Sequence, residues 1–137
     1  MATDLIKVLV VDDNKDLTSI ISHLFKQYAD IVPVGIANSG LEALDMIRKE
    51  KIDVMLLDII MPGMDGMQVL EHMALMEGLK PAVIILSAIG SNKMIHRALE
   101  MGADYFLVKP VDAQTMIEKI RAAHKSHRSK GLTKVDI

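Results

Sequence analysis

The chain of 137 residues contains no cysteine. This excludes a disulfide scaffold, a Cys-ligated zinc site and a thiol nucleophile. Long apolar runs are missing as well, and nothing approaches the roughly 18 consecutive residues a membrane helix requires. The amino-terminal stretch does not read as a signal peptide, because Asp4 precedes the short apolar run Ile6–Val11 and Asp12-Asp13 ends it. No solenoid repeat, low-complexity segment or phosphate-binding Gly-x-x-x-x-Gly-Lys-Ser/Thr loop occurs. The expectation is a cytoplasmic domain without a membrane partner.

What is present suits one compact core. Half the residues are apolar, enough for a single domain of this length. The net charge of −2 points to no polyanionic partner, yet the charge is unevenly spread. From Lys119 onward six basic residues face one acid, whereas residues 1–118 carry ten basic and seventeen acidic side chains. An acidic body of residues 1–124 is therefore expected, followed by a basic linker or free tail over 125–137. No aromatic residue interleaves with that tail, so it reads as a solvated segment rather than a nucleic-acid contact.

Five short apolar runs alternate with stretches of helical period: Ile6–Val11, Ile31–Ala37, Val54–Leu57, 82–86 and Tyr105–Val108. Most are apolar at consecutive positions, as in parallel strands covered on both faces. Leu17, Ile20, Ile21, Leu24, Phe25 and Tyr28 mark an amphipathic first helix. Ser39 and Glu42 read as a capping box for the second helix, and Asp65 and Asp112 as caps for the third and fifth. The fourth is expected to bury Ile95, Ala98 and Leu99 and to stop at Gly102. Right-handed crossovers then make a doubly wound (βα)5 sheet, an α/β flavodoxin-like fold. Pro33 cannot donate a ladder hydrogen bond, which sends the second strand to an edge and favours the order 2-1-3-4-5.

Ligands in such sheets bind beyond the carboxyl ends of the strands. Asp12, Asp13, Asp58, Ser87 and Lys109 each stand at such an end, where burial alone would accept another Val or Leu. Three crowded carboxylates repel one another unless a cation neutralises them, and hard oxygen ligands without His or Cys suit Mg²⁺. One carboxylate is then available as a nucleophile toward phosphorus, with Mg²⁺ and Lys109 able to stabilise a transferring phosphoryl group. His124-x-x-His127 has metal-like spacing but no acidic neighbour, and the eleven methionines read as core filler, although Met61, Met64 and Met67 flank the site.

Val10-Val11-Asp12-Asp13-Asn14, Leu57-Asp58-Ile59-Ile60-Met61-Pro62-Gly63-Met64-Asp65-Gly66, Leu86-Ser87-Ala88 and Lys109-Pro110 resemble, in order and spacing, the receiver domain of two-component response regulators. The resemblance implies that Asp58 accepts a phosphoryl group from a phosphohistidine on a sensor histidine kinase or a histidine phosphotransfer protein. It implies Mg²⁺ held by Asp12, Asp13, Asp58 and the Ile60 carbonyl, a Ser87–Phe106 switch pair, and a cis Lys109-Pro110 peptide. Such a domain catalyses its own phosphorylation and slow dephosphorylation without being a conventional enzyme. Homodimers are expected through the face of the fourth helix, fifth strand and fifth helix, and nucleic-acid contact only through an additional carboxyl-terminal domain. Residues 58–62 and 103–110 look most like the receiver half of the sporulation transcription regulator of endospore formers, which implies a transcriptional output.

Two rival readings use the same fold. An aspartyl-phosphate phosphohydrolase resembles Asp-x-Asp at its acceptor, the second Asp acting as general acid; here that position is Ile60, which transfers no proton. A phosphate-independent interaction module would ordinarily have lost the acidic pair, the acceptor or the lysine, and all four stand here.

Overall fold

The structure, a computed structural model, describes residues 5–136, with side chains described for 5–127. Strands and helices alternate strictly: β1 (Ile6–Val11), α1 (Lys15–Phe25), β2 (Ile31–Ala37), α2 (Gly40–Lys49), β3 (Val54–Leu57), α3 (Gly66–Ala74), β4 (Ala82–Ser87), α4 (Asn92–Glu100), β5 (Tyr105–Val108) and α5 (Ala113–Asp136). All neighbouring strands run parallel, in the order β2-β1-β3-β4-β5.

Alternate side chains of each strand feed two separate cores. Leu9, Val11, Met55, Leu57, Val83 and Ile85 point to one face, where Leu44 and Ile47 of α2, Val69 and Met73 of α3, and Ala98 of α4 cover them. Val8, Val10, Val54, Leu56, Ile84 and Leu86 point to the other, under Ile21 and Phe25 of α1 and Ile117 and Ile120 of α5. β3 and β4 are wholly buried, which is why they lack polar alternation.

Pro33 sits on the edge strand as expected, and the ladder is irregular beside it. Val8 pairs with Pro33 but Leu9 pairs with Gly35, so Val34, directly after the proline, is bulged out of the pairing.

Caps fix where the helices begin. Asp65 Oδ1 accepts from Gln68 N at 2.9 Å while Gln68 Oε1 accepts from Asp65 N at 3.0 Å, a complete capping box. At α2 only half of the expected box forms. Ser39 Oγ accepts from Glu42 N at 3.2 Å, but the Glu42 carboxylate reaches one residue further back, to Asn38 N. Asp112 accepts from Thr115 N at 2.7 Å, and Gly102 takes the left-handed φ of +109° that ends α4.

Two expectations about helices need correction. Leu99 is not core: α4 lies over the β5 edge and buries only Ala98 fully, leaving Leu99 43% exposed. The segment expected as a linker or free tail over 125–137 is not irregular either, because α5 stays helical to Asp136. His127 Nε2 donates to the Lys80 carbonyl at 2.7 Å and holds this part of α5 on the loop before β4. Side chains of the expected tail from 128 onward lie outside the described residues.

Candidate functional site

In a parallel sheet all carboxyl ends lie on one side, so β1, β3, β4 and β5 deliver their terminal residues to a single rim. β2 and β3 flank β1 on opposite sides, which places the change of winding direction between β1 and β3. Asp12 and Asp13 follow β1 and Asp58 follows β3 at this crevice. Backbone ties extend the ladder to them: Asp12 N donates to Ala37 O at 3.1 Å and Asp58 N to Val11 O at 3.0 Å.

One carboxylate oxygen each from Asp12, Asp13 and Asp58 lies within 4.8 Å of the other two. Asp12 and Asp58 are buried and Asp13 is exposed, so the cluster has a dry floor and an open side. Lys109 Nζ stands 2.8 Å from Asp12 Oδ2 and 3.6 Å from Asp58 Oδ2. Asn14 N donates to Asp12 Oδ1 at 2.9 Å and Ile60 N to Asp58 Oδ1 at 3.2 Å, so both buried carboxylates are oriented by backbone amides.

Burial holds the Asp58 carboxyl above its ordinary range, and the neighbouring charge of Asp12 adds to the effect. The Lys109 ammonium, the Ile60 amide and the Ser87 hydroxyl act in the opposite sense. One ammonium does not neutralise three carboxylates. A hard divalent cation with oxygen ligands fits this donor set, which contains neither imidazole nor thiolate.

Ser87 ends β4 fully buried, and Ile89 N donates to its Oγ at 3.5 Å. Phe106 pairs in register with Ile85, two residues before Ser87, and packs half-buried against the core on the α2–α3–α4 face. Ile85 faces that core too, so Ser87 and Phe106 share one side of the sheet. Lys109-Pro110 is a cis peptide. Every site residue expected from the sequence therefore reaches the rim or its immediate support. His124 and His127 do not: among the described residues, the three aspartates are the cluster placed to hold a metal.

Three residues support the site in roles the sequence does not indicate, although Gly66 closes the motif that begins at Leu57. Asn38 Nδ2 donates to the Asp12 carbonyl at 3.0 Å, bracing the β1 end from the β2 end. Its signal was the one applied elsewhere, a polar residue directly after an apolar run. At Gly66 a Cβ would meet the Asp58 carbonyl and lie 2.7 Å from Ile59 Cα, so only glycine lets α3 start against the backbone of Asp58. At Gly90 a Cβ would stand 3.0 Å from Phe106 Cε1 and 2.8 Å from Val108 Cγ2. Neither glycine carries a pattern that composition or periodicity reveals.

A family model described as the response regulator receiver domain matches residues 8–121. Among solved structures, the receiver domain of NarL from Mycobacterium tuberculosis is 30% identical, with a TM-score of 0.84, covering 90% of this chain and 98% of that one. The receiver domain of the Francisella response regulator 1452 is 32% identical with a TM-score of 0.78, covering 88% and 97%. CheY in the CheX-CheY-BeF3-Mg²⁺ complex from Borrelia burgdorferi is 28% identical with a TM-score of 0.79, covering 85% and 87%. With that match over most of its length, and with the acidic crevice where the fold puts it, the chain belongs to the response regulator receiver domain family.

Proposed function

We propose that this receiver accepts a phosphoryl group on Asp58 from a phosphohistidine of a sensor histidine kinase or histidine phosphotransfer protein. The observation that carries this reading is the convergence of Asp12, Asp13 and Asp58 within 4.8 Å, with Lys109 Nζ 3.6 Å from the acceptor. A carboxylate oxygen of Asp58 forms the new bond to phosphorus as the phosphorus–nitrogen bond breaks, and the electron pair stays on the departing imidazole. Mg²⁺, when bound by Asp12, Asp13, Asp58 and the Ile60 carbonyl, supplies positive charge to the phosphoryl oxygens. The neighbour solved with BeF3 and Mg²⁺ supports this assignment by analogy. Lys109 leaves Asp12 to pair with a phosphoryl oxygen, the Ser87 hydroxyl turns toward another, and Phe106 moves into the space released.

The output is proposed to be transcriptional, on the resemblance of residues 58–62 and 103–110 to the sporulation regulator. Dimerisation is proposed through α4, β5 and α5, where Leu99 and Val108 expose apolar surface. The test of the acceptor is intact-mass measurement after incubation with acetyl phosphate and Mg²⁺. One phosphoryl group is expected on the wild type and none on Asp58→Asn or after chelation. Equal labelling of Asp58→Asn overturns the reading.

A further inference from the structure

The opposite end of the sheet, at the amino ends of β1 and β3, holds a cavity of about 840 Å³. Its walls come from the end of α2, the starts of β1 and β3, the loop between α3 and β4, and His124 and His127 of α5. That volume lies within the range of small-molecule sites, roughly 300–1,000 Å³. Five lysines and arginines line it against two carboxylates, although the body of the protein is acidic.

Ordinary structural reasons account for only part of this charge. Arg48 and Lys49 end α2, where cations complement the helix dipole, and Lys49 pairs with Asp45 at 3.0 Å. Lys7, Lys51 and Lys80 come from a strand and two loops and have no such reason to converge. Among the described residues no carboxylate lies within ion-pairing distance of Lys7, Arg48, Lys51 or Lys80. Of the two lining acids, Asp53 spends one oxygen on the Lys7 backbone N–H at 2.9 Å. His127 is held by the Lys80 carbonyl through Nε2, which leaves Nδ1 unused by that bond. Leu79, 95% exposed, and Leu5 add an apolar wall to the same cavity.

We propose that this cavity binds a small molecule carrying two or more adjacent phosphates. Several unpaired cations from separate elements suit a multiply charged, compact anion, because each oxygen can meet its own donor. Leu79 and Leu5 suit an apolar or planar body attached to those phosphates. The shared chemistry fits two sources, an inorganic polyphosphate and a nucleotide. The site lies a full strand away from the acidic crevice, about 16 Å for the five steps from Lys7 to Asp12 or from Asp53 to Asp58. Occupancy would tie α5 to the body without touching Asp58.

The test is titration of the full chain with pyrophosphate, ATP and adenosine, in chelator and about 0.15 M salt, followed by amide NMR shifts. Chelation keeps Mg²⁺-dependent chemistry at Asp58 out of the reading. Saturable shifts centred on Lys51, Asp53, Lys80 and His127 are expected with pyrophosphate and ATP, and none with adenosine. Tighter binding of ATP identifies a nucleotide; equal binding identifies the inorganic anion. The double variant Lys51→Glu, Lys80→Glu should bind at least tenfold more weakly, with melting temperature and acetyl-phosphate labelling unchanged. Unsaturable binding, shifts confined to residues 128–137, or undiminished affinity in the double variant overturns the proposal.

Discussion

Lys109 lies closer to Asp12 than to Asp58, 2.8 Å against 3.6 Å, so its ammonium rests on the neighbouring carboxylate rather than on the proposed acceptor. Moving it to a phosphoryl oxygen requires only a side-chain swing. Lys109→Ala should therefore still take a phosphoryl group with Mg²⁺, more slowly, but should no longer transmit the event to Ser87 and Phe106. Intact mass reads the first effect, and NMR shifts of Phe106 before and after acetyl phosphate read the second. A normal Phe106 response in the labelled variant would show that the lysine is not the coupling element.

Ile60 and Ile89 are 51% and 53% exposed, at two and two residues after Asp58 and Ser87. Neither can orient a water in line with the acyl-phosphate bond, and both offer apolar cover. A long-lived phosphoryl group is expected. Ile60→Asn and Ile89→Glu together should shorten its half-life at least tenfold, about 1.4 kcal/mol of barrier. Loss from the wild type within seconds, or no change in the double variant, would place the control of lifetime elsewhere.

Arg121 grips Asp30 with two bonds, Nε to Oδ2 at 2.8 Å and Nη2 to Oδ1 at 3.0 Å. The Arg121 hydrogen bond holds the Asp30 carboxyl below its ordinary value. A carboxylate depressed in the folded state stabilises above its unfolded pKa of about 3.9, and that contribution disappears as pH falls through the lower folded value. The pair is partly solvent-exposed, so about 0.5–1 kcal/mol is the appropriate scale. Asp30→Asn should lower the melting temperature by roughly 1–4 °C at pH 7. The gap from wild type should close below pH 4; thermal melts across pH 3–7 check the sign.

A linker over 125–137 remains our proposal for the end of the chain, and His127 sets where it can be cut. Deleting 128–137 should leave melting temperature and Asp58 labelling nearly unchanged. Deleting 125–137 also removes the bond to the Lys80 carbonyl, worth about 0.5–1.5 kcal/mol. Equal melting temperatures for the two truncations would show that this bond adds nothing, whereas a large loss from the shorter cut would show that the tail is docked.

Much of this architecture was legible because burial on both faces leaves a plain trace. The runs Ile6–Val11 and Val54–Leu57 coincide with β1 and β3 to the residue, and β4 differs only in reaching Ser87. Pro33 placed β2 at the edge for a reason that acts on the backbone itself. Leu99 was misplaced because helical period shows which residues share a face, not how wide a surface lies beneath it. At the site, Asp12, Asp13, Asp58, Ser87 and Lys109 were visible as polar residues interrupting apolar strands. The roles of Gly66 and Gly90 were not, since their contribution is room for a neighbour, and room appears only when the neighbour is in place.

The bulge beside Pro33 bears on how copies of this protein can meet. An exposed edge strand is a template onto which another chain can add its own strand. On β2 the missing donor at Pro33 and the unpaired Val34 break that template midway, so an incoming strand finds no continuous row of partners. Growth of the sheet on that side is disfavoured by the backbone. The association we propose is thereby left to side-chain surfaces, where contacts can be made and undone without open-ended polymerisation.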